Sequence, residues 1–166
     1  MDELDWLQGR GMSKCTITVD HLKLACRHFE EMMDANVGEK AAIRTLELFA
    51  DVYAKGSVMG NASLDRLKRV KSWSIKAKQL KDAISVAKPK DHFRIHHGTP
   101  RRGFVREILK LYRWDELNET SMTSLIERAY PFAVITVAED QELNKVARSK
   151  DLLRPEEHWR AARIKF

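Results

Sequence analysis

The sequence predicts a mainly α protein that carries at most a few short strands. Apolar residues recur at intervals of three and four over several segments, which is the spacing of one helix face. Glycine and proline are few, 7 and 4 of 166 residues, and several of them fall between these segments, where helices begin and end. Since 43% of the residues are apolar, the chain has enough material for a hydrophobic core.

The N-terminal part predicts a hairpin of two helices. The first spans residues 19–35 and begins after Thr18, a favourable N-cap. Its apolar positions are Leu22, Cys26, Phe29 and Met33. A second helix over residues 39–55 is expected to end at Gly56, where a C-terminal glycine cap belongs. The connection around Gly38 is short, which makes the two helices antiparallel neighbours.

A basic helix is expected next, over residues 63–86. Its apolar stripe includes Leu67, Val70 and Leu80, and lysine and arginine dominate the rest of its surface. The chain then divides into an N-terminal hairpin (1–60), a basic connecting helix (61–90) and a C-terminal, mainly helical subdomain (91–166). At this length, the three parts form one domain, or one domain with a helical appendage.

The C-terminal subdomain begins with an irregular segment. Residues 88–98 are expected as a loop or a short extended piece. Thr99 as N-cap, with Pro100 at the first helical position, then predicts the start of a helix. Its apolar stripe is Phe104, Val105, Ile108, Leu109 and Tyr112. Another helix is expected over residues 120–129.

A continuous apolar run follows at residues 132–137. It predicts either a buried strand or the approach to the next helix. Thr136 and Glu139 have the spacing of a capping box, which places a helix at residues 137–148. A last short helix is expected to begin at Pro155.

The charge distribution points to an anionic partner. Residues 61–113 hold 15 Lys and Arg against 4 Asp and Glu, a net charge of +11 in a chain whose overall charge is +6. Nucleic acid is the leading candidate for the counter-charge, and an acidic protein or an anionic lipid satisfies the same requirement. A homo-oligomer in which the acidic hairpin of one copy meets the basic helix of another is a further alternative. The residues expected to contact phosphates are Lys68, Arg69, Lys71, Lys76, Lys78, Arg94, Arg101 and Arg102.

Residues 91–102 combine three histidines with three arginines at a predicted helix start. A phosphate at that helix start would accept hydrogen bonds from unpaired backbone N–H groups and from Arg101 and Arg102. The plainer interpretation is that these arginines extend into water or pair with distant carboxylates. The alternative function is a metal-independent nuclease, in which His96 or His97 acts with Arg101 and His92 completes the cluster.

No metal or other cofactor is predicted. Zinc needs about four ligands with orienting partners, and near the histidines only Asp91 adds one. The acidic group Glu139, Asp140 and Glu142 opens a predicted helix, which favours a structural role over a metal centre.

The expected location is the cytoplasm, without a membrane. No apolar run approaches the roughly 18 residues of a membrane span. The sequence also starts with acidic residues, whereas a secretory signal starts with basic ones. Two cysteines do not form a disulfide framework, which suits a reducing compartment.

Overall fold

Helical periodicity in the sequence corresponds to helices in most of the chain that the structure describes. The structure is a computed structural model, and it describes residues 17–60, 66–83, 89–146 and 154–166. The helices are α1 (Val19–Asp34), α2 (Glu39–Ala42), α3 (Arg44–Met59), α4 (Arg66–Arg69), α5 (Ile75–Ala83), α6 (Pro89–His92), α7 (Arg101–Arg113), α8 (Glu119–Ala129), α9 (Val137–Val146) and α10 (Pro155–Ala161). The strands are β1 (Ser72–Trp73), β2 (Phe93–His97) and β3 (Phe132–Thr136). The prediction of a mainly α fold with a few short strands is confirmed.

The N-terminal helices follow the sequence signals except at one glycine. Thr18 caps α1 as expected, since its side chain accepts a hydrogen bond from the backbone N–H of His21. The second predicted helix bends at Ile43, which separates α2 from α3. The predicted end at Gly56 is wrong, because α3 continues to Met59 and Gly60 supplies the positive φ of 64° that ends it.

The prediction of one continuous helix over residues 63–86 is wrong. Ser72 and Trp73 pair with β3 as a parallel strand, which divides the segment into α4, β1 and α5. Ser74 then starts α5, because its hydroxyl accepts a hydrogen bond from the Ala77 N–H at 3.1 Å. Tertiary pairing overrides the helical pattern here. Both predicted ends of this helix, and the predicted boundary at residue 61, lie outside the described residues.

A small sheet forms the middle layer of the molecule. Its strand order is β1-β3-β2, with β1 parallel and β2 antiparallel to the central strand. Every residue of β3 is buried, so of the two alternatives for this apolar run the structure has the buried strand. Phe132 and Val134 belong to the large core that includes α1, α3, α7 and α8, whereas Ala133 and Ile135 pack with Trp159 on the other side.

The remaining C-terminal elements agree with the sequence except around Thr99. The Thr136–Glu139 capping box is present, with Glu139 N–H donating to the Thr136 hydroxyl at 3.1 Å. The segment expected as a loop or extended piece contains α6 and β2. Thr99 is not the N-cap of α7, because Pro100 takes that position and no side chain caps the helix. The Thr99 hydroxyl is buried and has no hydrogen-bond partner among the described residues.

We expect Gly60→Ala to lower the free energy of unfolding by about 1–3 kcal/mol, because φ 64° and ψ −178° suit glycine alone. The added Cβ would also collide with Nη1 of Arg69. Gly38→Ala is the matched control, since φ there is −60° and nothing lies within 4 Å of the new Cβ. Urea unfolding of both variants checks the prediction, and an equal change in both would contradict it.

Candidate nucleic-acid interface

Four arginines of α7 pair with carboxylates of the N-terminal helices, and we call this set the arginine seam. Its ion pairs are Arg101–Asp51 at 3.0 Å, Arg102–Glu47 at 3.3 Å, Arg106–Glu39 at 3.2 Å and Arg113–Glu30 at 3.1 Å. Along α7, these positions recur at helical spacing, so the pairs follow the junction of α7 with α1, α2 and α3. Part of the charge in the basic segment is therefore neutralised inside the molecule.

Asp51 is the most buried member of this seam, with 5% of its surface exposed. Its Oδ2 accepts from Lys55 at 2.6 Å and from Arg101 at 3.0 Å. Its Oδ1 accepts from the Tyr130 hydroxyl at 3.0 Å. The pKa of Tyr130 is raised mainly by burial and to a smaller extent by the negative charge of Asp51. The phenol therefore stays protonated and remains a donor.

These contacts bear directly on the predicted phosphate site at the start of α7. The side chains of Arg101 and Arg102 are 50% and 40% exposed, but each guanidinium already has a carboxylate partner. The geometry is that of the plainer interpretation, in which the arginines pair with distant carboxylates. A phosphate would have to compete with Asp51 and Glu47 for the same donors.

The rings of His96 and His97 lie close together, as predicted. The third ring of the cluster is that of His158, not that of His92. The ring centroids of His96 and His97 are 5.2 Å apart, and those of His96 and His158 are 5.8 Å apart. His97 also stacks on Tyr130 at 4.6 Å. His92 precedes β2 and contacts Phe93, so four residues of extended chain, about 13 Å, separate it from His96.

Hydrogen bonds fix which nitrogen of each imidazole carries the proton. A carbonyl oxygen only accepts, so Nδ1 of His97 donates to Thr99 O at 2.6 Å and Nδ1 of His158 donates to Gly98 O at 3.1 Å. Nδ1 of His96 instead accepts from the Trp159 indole N–H at 3.4 Å, which leaves the proton of His96 on Nε2.

Burial keeps the strand histidines neutral. It lowers the pKa of His96 from 6.5 to about 3, helped by His97 and His158, and it lowers the pKa of His97 to about 4. Neutral imidazoles cannot supply a proton near pH 7, so neither residue is suited to general-acid catalysis. Within the described part of the chain, no group of three His, Cys, Asp or Glu side chains could hold a metal ion.

Of the three acidic residues at the start of α9, Glu139 is buried and has a structural role. Oε2 of Glu139 accepts from the Ser74 hydroxyl at 2.6 Å and from the Thr136 N–H at 2.9 Å. These bonds join the beginning of α5 to the end of β3. Glu142 pairs with Lys145 at 2.7 Å on the surface.

The lysines around β1 and α5 differ from the α7 arginines because they lack close carboxylates. We call Lys71, Lys76, Lys78 and Lys81 the lysine surface. All four are exposed, and none has a carboxylate within 4.0 Å among the described residues. Lys81 lies 4.9 Å from the centre of the Trp73 ring, a cation–π contact. Lys76 is close enough to Glu142 to contribute to the lowered pKa of that carboxyl, after Lys145.

Three other predicted phosphate contacts have different surroundings. Arg69 donates to Met59 O at 2.9 Å, so its guanidinium helps to close the end of α3. Arg94 is exposed on β2, donates to Phe93 O at 3.0 Å and lies near Asp140. Lys68 is part of α4, and its side chain lies outside what the structure describes.

A groove of about 600 Å³ lies between β1 and the end of the chain, and we call it the C-terminal groove. Its lining includes Ser72, Glu156, Trp159, Arg160, Arg163, Ile164, Lys165 and Phe166. Lys165 O accepts from the Ile75 N–H at 2.8 Å, which places the groove at the beginning of α5 and next to the lysine surface. These cations were not predicted, because Glu156 and Glu157 precede them and lower the net charge of this part of the sequence.

No protein-family model, curated protein or solved structure matches this chain. Among the described residues, no helix is both long and apolar enough to cross a membrane.

We expect Asp51→Ala to lower the free energy of unfolding by about 1–3 kcal/mol, because the buried Tyr130 hydroxyl would lose its acceptor. Tyr130→Phe should cost less, about 0.5–1.5 kcal/mol, since Asp51 keeps both cations. The control is Glu39→Ala, which removes an exposed ion pair and should change stability by less than about 0.5 kcal/mol. If urea unfolding gave the same loss of unfolding free energy for Asp51→Ala and Glu39→Ala, the buried carboxylate would contribute no more than an exposed ion pair.

We also expect stability to fall as the pH is lowered from 6.5 towards 4. The unfolded imidazoles bind protons below pH 6.5, whereas folded His96 and His97 bind them only near pH 3 and 4. The unfolded state therefore binds more protons in this window, and each histidine contributes up to about 1.4 kcal/mol per pH unit. Urea unfolding at several pH values should give a shallower dependence for His97→Gln than for the natural chain. An unchanged slope would argue against a neutral, buried His97.

Proposed function

We propose that this protein binds nucleic acid through the phosphate backbone, using the lysine surface. The observation that carries the proposal is the contrast between two groups of cations in the same basic segment. The arginines of α7 have carboxylate partners within 4.0 Å, whereas Lys71, Lys76 and Lys78 have none among the described residues. Charges without internal partners attract polyanions and gain affinity through counterion release.

The expected binding is weakly sequence-specific. Lysine ammonium groups are mobile point charges that contact phosphate oxygens, which are the same at every base pair. Neither Arg101 nor Arg102 is required for the proposal, since both belong to the arginine seam. The proposed location is the cytoplasm, where RNA and, in cells without a nucleus, DNA are both accessible.

The metal-independent nuclease gains less support from the geometry. His97 lies near Arg101, as that hypothesis requires, but the pKa of His97 is lowered to about 4 by burial and its Nδ1 is engaged by Thr99 O. In the second alternative, an adaptor, an acidic protein would bind the same lysine surface that is proposed to bind nucleic acid. Competition between an acidic peptide and an oligonucleotide distinguishes these two.

The test is the salt dependence of binding to a labelled DNA duplex. With about five phosphate contacts, the logarithm of affinity should fall linearly with the logarithm of salt concentration, with a slope near −4 to −5. Lys76→Glu combined with Lys78→Glu should weaken binding to all sequences alike and make the slope shallower by about 2.

A matched control separates a local surface from net charge. Lys40 and Arg44 are exposed on α2 and α3, and α2 packs against α1 and α3. Lys40→Glu combined with Arg44→Glu changes the net charge equally and should leave most of the affinity. If both double variants lose the same affinity, or if the natural chain binds neither a duplex nor a single strand at low salt, the proposal is wrong.

A further inference from the structure

The C-terminal groove depends on how the chain turns after α10. Ile164 N–H donates to Trp159 O at 2.9 Å, and Arg163 N–H donates to Arg160 O at 2.9 Å. This pair of bonds is a Schellman motif, in which the residue after the C-cap adopts a left-handed conformation. The motif turns residues 164–166 back over Trp159, and Ile164 is buried there.

The residue in the left-handed position is unusual. Arg163 has φ 57°, whereas the comparable turns after α1 and α7 place Asn36 and Asp115 at this conformation. Asparagine and aspartate tolerate positive φ well, and glycine tolerates it best, but arginine gains nothing from it. An arginine at this strained position, where it lines a groove, favours a role for the guanidinium there.

The groove combines aromatic rings with an excess of cations. Phe166 lies 4.6 Å from Trp159 between ring centroids, and 44% of Phe166 is exposed. Arg160, Arg163 and Lys165 line the groove together with one acidic side chain, that of Glu156. None of these three cations has a carboxylate within 4.0 Å among the residues that the structure describes.

We propose that the C-terminal groove binds a single-stranded segment of nucleic acid, with a base stacked on Phe166 and the backbone phosphates on Arg160, Arg163 and Lys165. This inference rests on the proposed function and names the form of nucleic acid that the protein prefers. Cationic grooves with exposed aromatic rings bind single strands because every unpaired base offers a face for stacking. A duplex keeps its bases stacked inside, so it can use the lysine surface but not Phe166.

The geometry also gives the path of the strand. Ser72 lines the groove, and Lys165 O bonds to the first residue of α5. A strand that leaves the groove at this point therefore reaches Lys71 and Lys76 on the lysine surface. The two surfaces together offer cations for several successive phosphates.

Fluorescence polarisation with a labelled oligothymidine and with a DNA duplex tests the inference. Phe166→Ala should weaken binding to the single strand by about 5- to 150-fold and leave duplex binding nearly unchanged. Phe166→Tyr should retain the affinity, and Phe166→Leu should not, because stacking needs an aromatic ring. Trp114→Ala, which removes an aromatic residue that is 67% exposed at the end of α7, is the control and should have no effect.

Arg163→Gly provides a second readout that a purely structural role would not give. The substitution should raise the urea midpoint, because glycine relieves the positive φ, yet it should make the salt slope for the single strand shallower by about 0.7. Asn36→Gly places glycine in the equivalent turn after α1 and should not alter binding.

Several outcomes would overturn the inference. Unchanged single-strand affinity in both Phe166→Ala and Arg163→Gly would do so while leaving the proposed function intact, provided that reversal of Lys76 and Lys78 still weakens binding. Stronger competition by polyglutamate than by oligothymidine would assign the groove to an acidic peptide instead. Failure of the natural chain to bind either nucleic acid at low salt would reject both proposals.

Discussion

The buried carboxylate of Asp51 is the interaction on which the arrangement of the helices depends. It lies in α3 and accepts hydrogen bonds from Arg101 at the start of α7 and from Tyr130 at the end of α8. Tyr130 is in turn stacked between Phe104 and His97, with centroid distances of 4.1 and 4.6 Å. One carboxylate therefore fixes two helices and the end of β2, and a charge at this depth persists only because cations and a hydroxyl surround it.

These ion pairs leave only part of the basic segment available to an external anion. A net charge of +11 over residues 61–113 suggests one continuous cationic surface, but the structure divides the cations by role. Those of α7 pair with carboxylates of the N-terminal helices in the arginine seam, whereas those of β1 and α5 remain exposed without close carboxylates. The exposed group adjoins the C-terminal groove, so cations about 80 to 95 positions apart in the sequence lie on neighbouring surfaces.

Local signals predicted the elements that local physics decides. Sequence signals indicated the cap at Thr18, the Thr136–Glu139 capping box and the apolar run of β3, because each depends on residues a few positions apart. The division of the basic helix was not, since β1 forms only when Ser72 and Trp73 meet β3 some 60 residues later. For the same reason, sequence alone grouped His92 with His96, whereas the third ring of the cluster belongs to His158. The cations of the groove were not predicted because they lie outside residues 61–113, and Glu156 and Glu157 lower the net charge of their segment.

Amide hydrogen exchange with and without a short single-stranded oligonucleotide reports where the strand lies on the unmodified protein. We expect slower exchange in residues 71–83 and 159–166, because these segments carry the lysine surface and the C-terminal groove. Residues 101–113 should exchange unchanged, because their arginines are held by the N-terminal carboxylates. Protection confined to residues 101–113, or none at saturating oligonucleotide, would contradict the account.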